Sequence, residues 1–246
     1  MTDMKRLTGK IAEDRIRLMD TPRPPDGIID RIRAIGCDTS LLSDAMDDLG
    51  IAGALNASDY RPTLPGAATV GPAVTVRNIP AEKHPTPLDR ARAKQNGMAE
   101  MEAHNLASPG DIIVIEGVPG LSNMGGISAL IAKVRGIAGA VIKGGIRDVA
   151  HSRGEGFPIW ATEVSPITGK WRIETVEING TINLDGVRVR AGDLIVADDT
   201  GVCVVPPEHA DAILKIAEGQ KALEDIKIEA VKSGAHIADL PAKLPG

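Results

Sequence analysis

The sequence predicts an α/β protein with a parallel βαβ core, on three observations. Ile112-Ile113-Val114-Ile115 is a short, wholly apolar run of the kind found in strands buried on both faces. A second strand-like run, Ala140-Val141-Ile142, follows it after a helical stretch from Ile127 to Arg135, and parallel strands need such a crossover. Helical and strand patterns alternate through this region instead of segregating. The chain has 246 residues, enough to bury one large core.

The elements read in order as follows. Residues 1–20 mix acids, bases and apolar side chains at helical spacing and read as a charged amphipathic arm, stopped by Pro22, Pro24 and Pro25. A second helix runs from Gly27 to about Ile35, and Thr39 to Met46 reads as a capped helix closing at Gly50. Gly66 to Arg77 alternates small and β-branched residues as a strand does. Three prolines make 78–87 a loop, and 88–106 returns to helical spacing. Ser108-Pro109-Gly110-Asp111 is a turn into the Ile112 strand, and 118–126 is a loop into the Ile127 helix. The Ala140 strand leads to a Gly-Gly turn and a helix from Asp148. Beyond Gly156 come strands at Ile173–Val176, Gly180–Leu184, Val187–Val189, Leu194–Ala197 and Val202–Val205, with an Asp198–Gly201 turn. A long helix over 208–233 follows, acidic early and lysine-rich late, as the helix dipole favours. These divide the chain into an arm over 1–27, an α/β domain over 28–207 and a C-terminal helix and tail over 208–246.

Composition excludes several classes. No apolar run approaches the ~20 residues of a membrane span. A net charge of -5 argues against nucleic acid as a partner, and Tyr60, Phe157, Trp160 and Trp171 are too few for base stacking. Cys37 and Cys203 lack disulfide or zinc spacing and read as buried small side chains. The amino terminus has no signal-like apolar stretch, so the expected location is cytoplasmic.

The chemistry concentrates between Glu116 and Asp148. Parallel neighbouring strands would send the loop 117–126 and the segment Lys143–Asp148 from one carboxyl edge, where open α/β sheets bind ligands. Gly125 and Gly126 precede a helix, so their amides suit an anion; equally, they could serve a positive φ or close packing. Arg147 and Asp148 are the catalytic candidates: a carboxylate suits Mg²⁺ or Mn²⁺, and a guanidinium beside it stabilises an enolate. The competing reading makes Asp148 a helix cap and leaves Arg147 in solvent. His84 and Arg77 read as loop residues, His104 as a helix residue without a spaced partner, His151 as a possible cleft wall, and Asp198 and Asp199 as turn formers.

GIAGAVIKGGIRDVAHSR (136–153) and VRVRAGDLIVADDTGVCVVP (187–206), with LLSDAMDDLG (41–50) and the PGD and AGD turns at 109–111 and 191–193, resemble the RraA-like family. That family includes 4-hydroxy-4-methyl-2-oxoglutarate aldolases, oxaloacetate decarboxylases and a ribonuclease regulator that acts by contact. The resemblance spans roughly residues 28–235. It implies a β/β/α swivelling-type single domain, a homotrimer or dimer of trimers, and a site between neighbouring subunits. It implies a divalent metal, Mg²⁺ or Mn²⁺, on Asp148, a 2-oxo acid against Arg147, and substrate carboxylate on the amides of Gly125, Gly126, Ile127 and Ser128. A second acid, acting through water from the neighbouring subunit's C-terminal helix, falls at Glu224, with Asp225 as the alternate. Aldolase members often carry an acid where this chain has Gly126, a departure that counts against metal binding and aldol cleavage. The implied activity is a metal-dependent lyase on a pyruvate-yielding 2-oxo acid. The alternatives are a non-catalytic protein-binding regulator and a diverged lyase or dehydratase on another 2-oxo or sugar acid.

Overall fold

The computed structural model describes residues 7–244. Its N-terminal half contains helices α1 (Ile28–Ala34) and α2 (Thr39–Asp48), strands β1 (Ala54–Asn56), β2 (Arg61–Pro62) and β3 (Thr69–Pro80), and helices α3 (Pro87–Arg92) and α4 (Glu100–Leu106). The central unit is β4 (Ile112–Glu116), β5 (Ser122–Met124), α5 (Gly126–Val134), β6 (Gly139–Ile146), α6 (Val149–Gly154) and β7 (Ile159–Val164). Strands β8 (Ile173–Ile178), β9 (Ile182–Leu184), β10 (Val187–Val189), β11 (Leu194–Ala197) and β12 (Gly201–Val205) precede the long α7 (Ala210–Lys232).

One mixed sheet runs β1-β12-β11-β3-β4-β6-β7-β2, with β5 added to β6 and β8 to β3; β9 and β10 form a separate hairpin. Within it β3, β4, β6 and β7 are parallel, so the predicted βαβ core is present. The period-two geometry of β4 divides its apolar run between two cores. Ile113 and Ile115 pack with Ala103, Leu106, Ala129 and Ala132 under α4 and α5. Ile112 and Val114 pack on the other face with Trp160, Tyr60 and the β9–β10 hairpin. A third core joins α1, α2 and α7 to β11 and β12 through Ile32, Leu42, Met46, Val196, Val205 and Ile213. Cys37 and Cys203 are buried free thiols, and burial pushes Cys203 up to about 12.

Four expectations need correction. The arm is not helical where it is described: over 7–27 it holds only a 3-10 turn at Glu13–Arg15, and it runs extended, bridging Ile16 to Ile178 and burying Ile11. Residues 1–6 lie outside the described residues. The loop expected over 78–87 begins late, because β3 continues to Pro80 by pairing with β8 across an irregularity at Arg77/Asn78. The helix expected over 88–106 is two short helices; Gly97 and Ala99 instead donate to Lys170 O and Thr175 Oγ1, and Gly97 O accepts from Thr175 N. The Gly144-Gly145 turn is the interior of β6, where Gly144 takes φ +122.

The two sequence turns of the form x-Gly-Asp share one device. Asp111 Oδ2 accepts from Ser108 N at 2.8 Å and Asp193 Oδ2 from Arg190 N at 2.7 Å, so each carboxylate closes its own turn. Asp198 likewise accepts from Thr200 N and Gly201 N while holding Thr39, the first residue of α2.

Candidate active site

β4 and β6 are parallel neighbours, paired from Ile112–Gly139 to Glu116–Lys143, so the segments after them leave the same sheet edge. The loop after β4 returns as β5 beside the end of β6 and then enters α5. Asn123 holds this loop: its amide donates to Val118 O at 3.1 Å and Leu121 O at 2.9 Å, while Oδ1 accepts from Val118 N at 3.0 Å and Asn78 Nδ2 at 3.2 Å.

Arg147 and Asp148 follow β6 directly. Asp148 is left-handed, φ 57 and ψ 38, a conformation that aspartate tolerates better than most residues at a cost of roughly 1 kcal/mol. Its carboxylate makes no capping bond to α6; Oδ2 instead accepts from Gly126 N at 3.0 Å across the cleft. The helix-cap reading of Asp148 is therefore set aside. Arg147 Nε lies 3.6 Å from Asp148 Oδ2, and no other hydrogen bond or ion pair among the described residues engages its guanidinium. Both side chains keep access to solvent, 32% and 52% exposed.

The two loop glycines are explained by packing. Gly125 is extended, φ -131, and a Cβ there would lie 3.1 Å from Arg147 Nε and 3.2 Å from Asp148 Oδ2. A Cβ on Gly126 would lie 3.0 Å from His151 Cδ2 and 3.1 Å from Asp148 Cβ. The Arg-Asp pair lies against bare backbone. The Gly126 amide is committed to Asp148, which leaves the amides of Ile127 and Ser128 at the start of α5 for an anion.

A cavity of about 170 Å³ opens here, lined by Gly125, Gly126, Ile127, Ser128, Arg147 and Asp148. Its lining also includes residues that sequence reasoning passed over: Lys10, Lys170 and Glu100. Glu100 is 7% exposed, and burial raises its carboxyl above the ordinary range against the opposing pull of its own amide, Lys10, Lys170 and Ser128. Beneath it, His104 is wholly buried, with Nε2 2.7 Å from Ser128 Oγ and Nδ1 without a partner. Burial, then Arg135, lowers His104 to about 4, so the ring is neutral near pH 7. Lys10 is delivered by the extended arm, which Glu102 anchors by accepting from Thr8 N at 2.8 Å. The one available signal was an acidic residue in the first turn of α4, and it is weak.

The remaining candidates separate. His151 stands behind Gly126, and His84 is exposed and does not line the cavity. Arg77 pairs with Glu177 at 3.1 Å. Glu224 lines another depression along α2 and α7, with Asp38, Ser40 and Asp44, and shares no residue with this cavity. Asp225 pairs with Lys221 one turn earlier. Among the described residues no group of three or more His, Cys, Asp or Glu converges to hold a metal. A single carboxylate with solvent access still fits Mg²⁺ or Mn²⁺, which commonly take one or two protein carboxylates and complete their shell with water and substrate.

Comparison with known proteins agrees with this architecture. The family description RraA-like (Aldolase/RraA) matches residues 39–204, and the chain belongs to that family. A Halalkalibacterium halodurans protein named "Putative 4-hydroxy-4-methyl-2-oxoglutarate aldolase" is 32% identical over 195 residues, 78% of this chain and 84% of that one. Protein DlpA of Legionella pneumophila is 29% identical over 205 residues, 82% of this chain; the match spans only 32% of DlpA's length. The crystal structure of Streptomyces coelicolor RraAS2, described as an unusual member of the RNase ES inhibitor RraA protein family, superposes with a TM-score of 0.70 at 26% identity. It covers 83% of this chain and 96% of that one. The family thus holds both proteins named as aldolases and RraA regulators. Among the described residues no helix is long and apolar enough to cross a membrane.

Proposed function

We propose that the protein is a divalent-metal-dependent C–C lyase acting on a pyruvate-yielding 2-oxo acid, by aldol cleavage, β-decarboxylation or both. One observation carries this reading: the Asp148 carboxylate is fixed by the Gly126 amide across the cleft, beside an Arg147 guanidinium with no competing partner among the described residues. A purely structural Asp at a helix start would cap the helix with its side chain, and Asp148 does not. The kinship to a protein named as an aldolase supports the same class.

In this site Asp148 would hold the metal, which when bound supplies Lewis-acid polarisation of the substrate's carboxylate and carbonyl oxygens. The chain's own groups do the rest. The Ile127 and Ser128 amides receive the carboxylate at the start of α5, where the helix dipole favours negative charge. Arg147 faces the carbonyl oxygen and offsets the charge that grows there as the C3–C4 bond breaks and its electron pair passes to C3. Lys10 and Lys170 add positive charge to the cavity lining, which suits a second carboxylate on the substrate.

The test is pyruvate release from oxaloacetate and from 4-hydroxy-4-methyl-2-oxoglutarate, with Mg²⁺, with Mn²⁺ and with excess chelator, for the native protein and Asp148→Ala. Metal-dependent pyruvate that disappears in the variant is expected. A second reading, a regulator that binds another protein, is favoured by Gly126 standing where aldolases often carry an acid and by the likeness to RraAS2. Folded protein that turns over neither substrate with either metal would move the weight to that reading.

A further inference from the structure

We infer that Glu100 is the proton-handling group of this site: its carboxyl delivers the proton to C3 of the enolate left by C–C cleavage, with Ser128 and His104 as its positioning residues. The inference rests on the lyase reading above and assigns a residue to the half of the reaction that Arg147 and Asp148 leave unserved.

Cleavage leaves an electron pair at C3 that must take up a proton before pyruvate departs. Arg147 holds its protons too firmly to give one up, and Asp148 is engaged by Gly126 N and faces solvent. Lys10 and Lys170 are exposed cations on flexible stems. Glu100 alone among the acids lining the cavity is enclosed, 7% exposed, and it lines the same cavity as the Arg-Asp pair. Burial raises that carboxyl above the ordinary carboxylate range, the direction a proton donor needs.

The orientation of Glu100 is also provided for. Ser128 Oγ is 2.7 Å from His104 Nε2, and Ser128 is among the groups that favour the charged form of the Glu100 carboxyl. The buried neutral imidazole fixes the serine hydroxyl on the cavity lining it shares with Glu100. A wholly buried histidine whose Nδ1 has no partner is an expense that packing alone does not require. Leucine would fill such a core position without an orphaned nitrogen.

The step balances. The Glu100 O–H bond breaks and the C3–H bond forms from the electron pair released by C3–C4 cleavage, giving pyruvate and a Glu100 carboxylate that regains a proton from water; in aldol cleavage the C4 hydroxyl gives its proton to water as C4 becomes a carbonyl. Run in reverse, the carboxylate removes a methyl proton from pyruvate.

That reverse step gives the test: exchange of pyruvate methyl protons in D₂O, followed by NMR with Mg²⁺, for native protein, Glu100→Gln and Glu100→Asp, with oxalate affinity measured on each. Glu100→Gln is expected to exchange at least ~100-fold more slowly while oxalate affinity changes by less than about twofold, and Glu100→Asp to fall between. Exchange at the native rate in Glu100→Gln overturns the inference and leaves the lyase reading standing. Should Glu100→Gln not fold, a native rate in Glu100→Asp overturns it equally, since one methylene displaces the carboxyl. Absence of exchange in the native protein overturns both.

Discussion

His104 links a single proton to stability as well as to the site. Its ring titrates near 4 in the folded protein against an ordinary value of 6.5, because burial, and then Arg135, disfavour the charged form. Between those values the unfolded chain binds a proton that the folded protein refuses, so stability conferred by this group is present above 6.5 and lost as pH falls toward 4. The loss is about 3 kcal/mol. Glu100, raised by burial, acts in the opposite sense, its contribution falling as pH rises through its folded range. Denaturant titrations at pH 7 and pH 4.5 should therefore show that His104→Gln, neutral throughout and able to bond Ser128, removes most of the acid-side loss due to this residue. A pH dependence unchanged by the substitution would mean that the ring is not held neutral. At the same scale, Gly125 and Gly126 stand where a Cβ would meet Arg147, Asp148 and His151 at 3.0 to 3.2 Å, tighter than ordinary contact.

Elements built on a single strong local signal were legible in the sequence. The apolar run of β4 needs burial on both faces, and the edge it shares with β6 follows from the intervening helix, so the sheet edge from which Arg147 and Asp148 leave was legible in the sequence. Elements decided by long-range pairing were not. Gly144-Gly145 reads locally as a turn, yet β5 and β7 on either side keep it in β6. Residues 93–99 keep helical composition, but hydrogen bonds to Lys170 O and Thr175 draw the chain out of helix and set Glu100 on the cavity wall. The arm's acids and bases suggested a helix, while Ile11 and Ile16 find a core only when it is extended. Gly144 tests the tertiary account of β6. At φ +122 it holds a conformation nearly closed to other residues, and a Cβ would lie 2.5 Å from Asn123 Nδ2 in the hub that holds the β4–β5 loop. Gly144→Ala should cost at least about 2 kcal/mol and lower the Tm by several degrees. A variant as stable as the native protein would place the loop elsewhere.

At the scale of the whole molecule, α7 is the element a single chain does not explain. Its first half is packed through Ala210, Ile213, Leu214 and Ala217, and Arg31 clamps it by ion pairs to Asp211 and Glu218 at 2.6 and 2.7 Å. Beyond that point Ile226, Ile228 and Val231 are 37%, 42% and 54% exposed on a helix that has left the core. Apolar residues gathered on the unpacked half of a long helix suit a surface that another copy covers. If three copies assemble around this helix, Glu224 reaches a neighbour's cavity while remaining distant from its own. Light scattering should then give a mass of three or six chains, and Val231→Asp with Ile228→Asp should lower it. Glu224→Gln should keep the native mass and weaken Mn²⁺ binding roughly tenfold, the scale on which second-sphere partners of a metal act. The two variants separate assembly from ligation: the first disturbs the site by removing its neighbour, the second by removing one carboxylate from an intact assembly. A monomer that binds Mn²⁺ as tightly with Gln at 224 as with Glu would refute the shared site and leave Asp148 as the only carboxylate the metal has.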